Sequence, residues 1–202
     1  MFVVSATKQI SSECVQITFS TGSCFFIRFC YLKQVPPERI QPDARFSEDE
    51  AADIMNASIA FGAEKAAAAY LERSEQSRYL LIQKLLKKGF DRDSIRCALD
   101  YLEFRGYLSD SRYARAWLRN RAINHAEGRV KLLAALVSRG IERSIAQCAV
   151  DDFFESVSEE AACLRAVEKC RRQGKNESQI EKYLQRSGFS LSVIRAACQN
   201  LT

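Results

Sequence analysis

Three glycines constrain the fold more tightly than any other feature. "LIQKLLKKGF", "VKLLAALVSRGI" and "IEKYLQRSGF" each run a helical apolar pattern into Gly-apolar, at Gly89, Gly140 and Gly188. A glycine in that place can take the left-handed conformation that stops a helix. Aligned on these glycines, the downstream segments "DSIRCALDYL", "SIAQCAVDDF" and "SVIRAACQNL" also match. Cys97, Cys148 and Ala196 share one offset, Ala98, Ala149 and Ala197 the next, and Leu99, Val150 and Cys198 the one after. Small residues recurring at one offset call for close helix contacts there. An alanine-rich helix opens each unit: "EKAAAAYLERS", "SRYARAWLRNR" and "EEAACLRAVEKC". The unit is therefore three helices in about fifty residues, and such units bury apolar surface against their neighbours. The expected fold is mainly α, an elongated right-angle stack of three tandem three-helix repeats, with repeats over 63–108, 109–156 and 157–202.

Residues 1–62 are expected to form a separate N-terminal extension. "ECVQITFSTGSCFFIRFCYL" is rich in β-branched and aromatic residues around a turn, "STGS", and predicts a β-hairpin. "QVPPERIQPD" holds all three prolines and predicts a loop. "FSEDEAADIMNASIAF" predicts a short helix, with Ser47 as N-cap and Glu50 completing a capping box.

The apolar fraction of 47% supports a packed core. There is no long apolar run and no signal-peptide pattern at the N-terminus, so a cytoplasmic protein with no membrane association is expected. The eight cysteines, Cys14, Cys24, Cys30, Cys97, Cys148, Cys163, Cys170 and Cys198, form no C-x-x-C pair. Cys97, Cys148 and Cys198 read as small core residues, and Cys163 and Cys170 as neighbours on one helix face. His125 is the chain's one histidine and falls between helices, without a marked nucleophile or orienting carboxylate. Asp151–Asp152 and Glu159–Glu160 suit helix ends better than acid–base work. No phosphate-binding glycine motif is present. No catalytic, cofactor or metal site is expected, and the chain reads as a monomeric non-enzyme.

The net charge of +5 is unevenly placed. Residues 101–150 hold nine basic and four acidic residues, while the rest of the chain is balanced. Within "SRYARAWLRNRA", with Ser109 or Asp110 as cap, Tyr113, Ala114, Trp117 and Leu118 share one helical arc and predict core. Arg112, Arg115 and Arg119 occupy the opposite arc as neighbours. Arg121 points toward the apolar arc, where it can snorkel or bond the last carbonyls. Localised arginine suits phosphate or carboxylate recognition. Arg129 and Lys131 follow in the next helix. Lys169, Arg171, Arg172 and Lys175 form a second basic cluster, and Lys84, Lys87 and Lys88 a third. Together these nominate one binding face, although cations at helix ends also arise for dipole reasons. Tyr113 and Trp117 on the buried arc leave few aromatics for stacking single-stranded bases.

Gly106, Tyr107, Leu108, Ser109, Asp110, then Arg112, Tyr113 and Ala114, resemble the signature of the RecX regulatory proteins of bacterial recombination. Ser109 stands where Asn or Asp is commoner, and Tyr113 where Phe is usual. Leu71, Arg73, Ser74, Ser77, Leu81, Leu85, Gly89 and Phe90 resemble that family's first repeat. The resemblance covers about residues 64 to 202 and is weakest in the third repeat. The hairpin and "RFSEDEA" resemble, less specifically, the extension of longer members. The resemblance implies a protein that binds the RecA–single-stranded-DNA filament and restrains its ATP hydrolysis, strand exchange and coprotease activity. It also implies direct DNA binding. A helical-repeat nucleic-acid-binding protein with no RecA partner is the competing reading, and an enzyme a third without a motif to support it.

Overall fold

The computed structural model describes residues 2–199, with side chains described through Ala197. Its elements are strands β1 (Phe2–Ser11), β2 (Cys14–Phe19), β3 (Cys24–Arg28) and β4 (Arg45–Phe46), followed by helices only. The helices are α1 (Glu48–Leu71), α2 (Arg78–Lys87), α3 (Arg92–Phe104), α4 (Asp110–Asn124), α5 (Arg129–Val137), α6 (Arg143–Ser156), α7 (Glu159–Arg172), α8 (Glu177–Arg186) and α9 (Leu191–Gln199). No described helix is long and apolar enough to cross a membrane. The chain divides into two compact units. The first contains residues 1–74 and 81–108, the second residues 75–80 and 109–202. The opening residues of α2 thus belong to the second unit.

In the first unit, β2 and β3 form the expected hairpin, but it is one side of a larger sheet, with β3 at the edge. The sheet is antiparallel with order β3-β2-β1-β4. Val4, Ile17, Ile27 and Phe46 point from it into a core closed by Ile54, Ala57 and Ala60 of α1. Asp53 on α1 holds the loop that comes after β3, its carboxylate accepting the backbone N–H groups of Lys33, Gln34 and Val35. Ser47 and Glu50 make the reciprocal capping box. The helix that it starts is not short, however. It runs uninterrupted for 24 residues through Gly62 into the alanine-rich segment. Gly62 has no Cβ and lets the Phe90 ring approach; a Cβ there would lie 3.4 Å from it. A second core in this unit joins Ala67, Leu81, Leu85, Ile95, Leu99 and Leu102. Arg28 ties sheet to helices: it donates to Glu64 and Glu13, and stacks 4.1 Å from the Tyr101 ring centroid. Burial, and then the hydrogen bond to Glu13, push the Tyr101 hydroxyl up to about 12.

In the second unit, Gly140 and Gly188 adopt φ +78° and +85°, as helix-stopping glycines should, and Gly89 in the first unit does the same at +89°. Two of the three do more than stop a helix. A Cβ on Gly140 would lie 2.2 Å from the Tyr79 Cβ, and one on Gly188 2.4 Å from the Lys131 backbone nitrogen. In both places the end of one repeat's second helix sits on the start of the previous repeat's second helix. The hydrogen bonds repeat too. Ser77 Oγ donates to the Arg139 carbonyl at 2.9 Å, and the Gly128 N–H donates to the Ser187 carbonyl at 2.9 Å.

The small-residue offset needs correction. Ala98, Ala149 and Ala197 are buried. Cys97 is half-buried and Cys148 is exposed, because they lie one position around the helix from the packed face. The Cys198 side chain lies outside the described residues. Cys163 and Cys170 are both fully buried in the core of the third repeat, as their spacing implied.

Candidate functional site

Helix α4 begins where expected, with Ser109 accepting the Arg112 N–H at 3.3 Å. Asp110 accepts the Arg78 N–H at 2.8 Å, fastening the start of α2 within the second unit. Tyr113, Ala114 and Leu118 enter the core, but Trp117 is only half-buried. The Arg139 guanidinium lies 4.5 Å from its ring centroid, which keeps that edge of the core at the surface.

The arginine stripe on the outer arc is largely spoken for. Arg112 pairs with Glu75 at 2.8 Å and Arg115 with Asp152 at 3.2 Å. Arg119 is exposed and makes no ion pair with a described residue. Arg129 is held at three points: it pairs with Asp151 at 2.5 Å and Glu159 at 3.1 Å, and sits 4.8 Å from the Phe154 ring. In the first unit, Lys84 and Lys88 gather over the Tyr70 ring, while Lys87 is exposed. Lys175 folds back on Gln173 and lies 5.3 Å from the Tyr183 ring.

What the second unit does assemble is a cavity of about 310 Å³ between the α4–α5 connection and helices α7 and α8. Of the nominated cations, Lys131, Lys169 and Arg172 line it. Arg171 does not, since its side chain leaves α7 about a hundred degrees away from that of Arg172. Two further cations line it, Arg121 and Arg165. Arg165, Lys169 and Arg172 are spaced four and three along α7 and so share one face. All three are exposed, and none has an acidic partner among the described residues. The opposite face of α7 buries Cys163, Val167 and Cys170, and this orients the stripe.

The cavity's other wall is a preassembled ion triad. Glu127, whose side chain is 6% exposed, accepts from Arg121 Nε at 2.8 Å and Nη2 at 3.0 Å, and from Lys131 Nζ at 2.9 Å. Arg121 thus does not cap the helix carbonyls but reaches past the helix end. Its fork of donors, and then Lys131, hold the Glu127 carboxyl down at about 2 against the opposing effect of burial. His125 caps the end of α4 and lines the same cavity, as does Tyr183. Five cations therefore face one carboxylate. No group of three or more His, Cys, Asp or Glu side chains suited to a metal exists among the described residues.

In the first unit, Phe104 and Tyr107 flank Arg105 and are 87% and 58% exposed. Aromatic side chains beside a cation are therefore present at the surface, contrary to what the α4 arc alone implied.

The model of the first RecX three-helix domain matches residues 63–102, and that of the second matches residues 109–150. Regulatory protein RecX from Treponema pallidum (strain Nichols) is 40% identical over 135 residues, 67% of this chain and 82% of the relative. RecX of Syntrophotalea carbinolica is 31% identical over 134 residues, 61% of this chain and 86% of that protein. A crystal structure of regulatory protein RecX aligns with a TM-score of 0.77 at 19% identity, over 98% of this chain and all (100%) of that one. RecX from Lactobacillus salivarius aligns with a TM-score of 0.64 at 22% identity, over 72% and 97% of the two chains. At these identities the structures speak for the fold.

Proposed function

Because the chain belongs to the RecX family of regulatory proteins, we propose that it binds the RecA–single-stranded-DNA filament and restrains RecA's ATPase, strand-exchange and coprotease activities in recombination, DNA repair and the SOS response. The observation that carries a binding role is the α7 stripe: Arg165, Lys169 and Arg172 face the cavity with no described counter-charge. Lys169 and Arg172 lie in the last turn of α7, where the helix dipole also favours a cation, but Arg165 lies outside that turn. On α4, Arg119 adds an exposed cation with no described ion pair, and Arg112 and Arg115 join it where a partner's anions replace Glu75 and Asp152. Carboxylates of RecA and phosphates of the strand are the two counter-charges that such a surface fits.

The test is binding of labelled, preformed RecA filaments against labelled free strand. The reading predicts tighter association with the filament, and filament binding that survives a large excess of free single-stranded DNA. Binding that tracks free strand alone would replace it with the second reading, a helical-repeat nucleic-acid binder without a RecA partner. The exposed Phe104 and Tyr107 beside Arg105 give that reading its support, since they offer faces on which bases could stack.

A further inference from the structure

We propose that the cavity bounded by Arg165, Lys169 and Arg172 of α7 and by the Arg121–Glu127–Lys131 triad is a phosphate-binding site. It deepens the reading above by giving part of the basic surface a ligand chemistry. Its test contains no RecA, so the failure of one is distinguishable from the failure of the other.

Three features carry it. The first is charge excess. Glu127 already accepts from both Arg121 and Lys131, so no acidic group lining the cavity remains for the three α7 cations. A single carboxylate ligand would leave most of that excess unanswered. A phosphate monoester brings nearly two negative charges, and a short run of phosphates brings more. The second is donor geometry. Two guanidinium groups and an ammonium on one helical face line one cavity, offering it forked and single donors of the kind that match phosphate oxygens. The third is enclosure and rigidity. A volume of about 310 Å³ falls at the small end of ligand pockets, about 300–1,000 Å³. The triad wall is held by a nearly buried carboxylate, and the α7 wall by Cys163, Val167 and Cys170 in the core. The helix that carries the α7 cations and the triad opposite it are thereby positioned before any ligand arrives. Tyr183 of α8, which also lines the cavity, adds an aromatic surface to it.

The phosphate can come from the backbone of a single strand or from a free polyphosphate or nucleotide. Two probes separate these sources: a fluorescein-labelled oligothymidylate read by anisotropy, and inorganic tripolyphosphate read by calorimetry. The variant is Arg165→Gln combined with Arg172→Gln, both exposed and unpaired among the described residues. Arg143→Gln, an exposed cation of α6 that does not line the cavity, is the control. The double variant is expected to lose about tenfold or more in affinity while the control stays within about twofold. For the strand, the log–log salt slope should also fall by about 1.4, the value for two lost single-strand phosphate contacts. Loss for the strand alone assigns the site to a nucleic-acid backbone, and loss for tripolyphosphate alone to a free ligand. Either supports the site. Unchanged binding of both probes overturns it. So does a tri-glutamate peptide that competes as well as tripolyphosphate, because the cavity would then read carboxylates. Should the double variant not fold, hydrogen exchange on the unmodified protein decides. Tripolyphosphate should slow amide exchange in residues 121–131 and 165–172, and no change there refutes the proposal.

Discussion

Replacing Gly188 and Gly89 separately with alanine tests the idea that the repeat glycines join repeats as well as stop helices. Both sit at left-handed φ, +85° and +89°. An alanine at either position incurs the left-handed penalty of about 1–2 kcal/mol. At Gly89 that is the whole cost, because nothing lies within 4 Å of the added Cβ. At Gly188 the Cβ would meet the Lys131 nitrogen at 2.4 Å and the Lys131 Cβ at 2.5 Å. The start of α5 and the end of α8 must then separate. Overpacking of that kind costs about 1–3 kcal/mol. Separation also strains the Gly128 N–H bond to Ser187 at 2.9 Å and the Val130 N–H bond to Gly188 at 3.3 Å. These are worth about 1 kcal/mol each. We predict about 1–2 kcal/mol for Gly89→Ala and about 3–6 kcal/mol for Gly188→Ala. Urea unfolding followed by circular dichroism gives the totals, and amide exchange locates them. Exchange should accelerate at Leu132 and Leu136 for Gly188→Ala and at Leu99 for Gly89→Ala. Equal costs, within about 1 kcal/mol, would refute the close approach of the repeats.

Further predictions follow from the charges and from the half-buried edge of the core. Glu127 has a folded pKa of about 2, below its ordinary 4.5, so its contribution is present above the unfolded pKa and lost as pH falls toward 2. We predict that the second unit loses up to about 3 kcal/mol across that window, and that Glu127→Gln removes this pH dependence from urea midpoints. Arg115→Glu should change thermal stability by less than about 1 kcal/mol, since its pair with Asp152 is solvent-exposed, yet weaken filament binding; normal binding would remove Arg115 from the face. Trp117→Ala should cost about 2 kcal/mol by urea unfolding, below the roughly 3–5 kcal/mol of a fully buried tryptophan, because Arg139 rather than core covers one side.

Much of this architecture can be read from the sequence because single residues carry it. Gly140 and Gly188 mark helix ends by a backbone conformation that few other residues adopt, so local pattern suffices. Their second role cannot be read in that way. The atoms that forbid a side chain belong to Tyr79 and Lys131, a whole repeat earlier in the chain in each case. The hairpin is legible from its β-branched run. Strand β1, with Ser, Thr, Lys and Gln among its residues, has too weak an alternation, and β4 is two residues long. Helix α1 reads as two segments because Gly62 falls between them, although here that glycine serves close packing against Phe90. At the candidate site, Lys131, Lys169 and Arg172 are nominated and do line the cavity, but Arg165 is missed. The signal is present: 165, 169 and 172 share a helical face. Grouping cations by adjacency favours Arg171, which points elsewhere. The role of Arg121 depends on Glu127, across a turn whose path no periodicity predicts.

The measurement that bears most directly on the central claim is the DNA-dependent ATPase of the cognate RecA on preformed single-strand filaments, titrated with this protein. The account predicts inhibition at amounts well below one molecule per RecA monomer, undiminished by excess free DNA. Unchanged ATP hydrolysis with DNA binding intact, or inhibition that free DNA fully relieves, would contradict it.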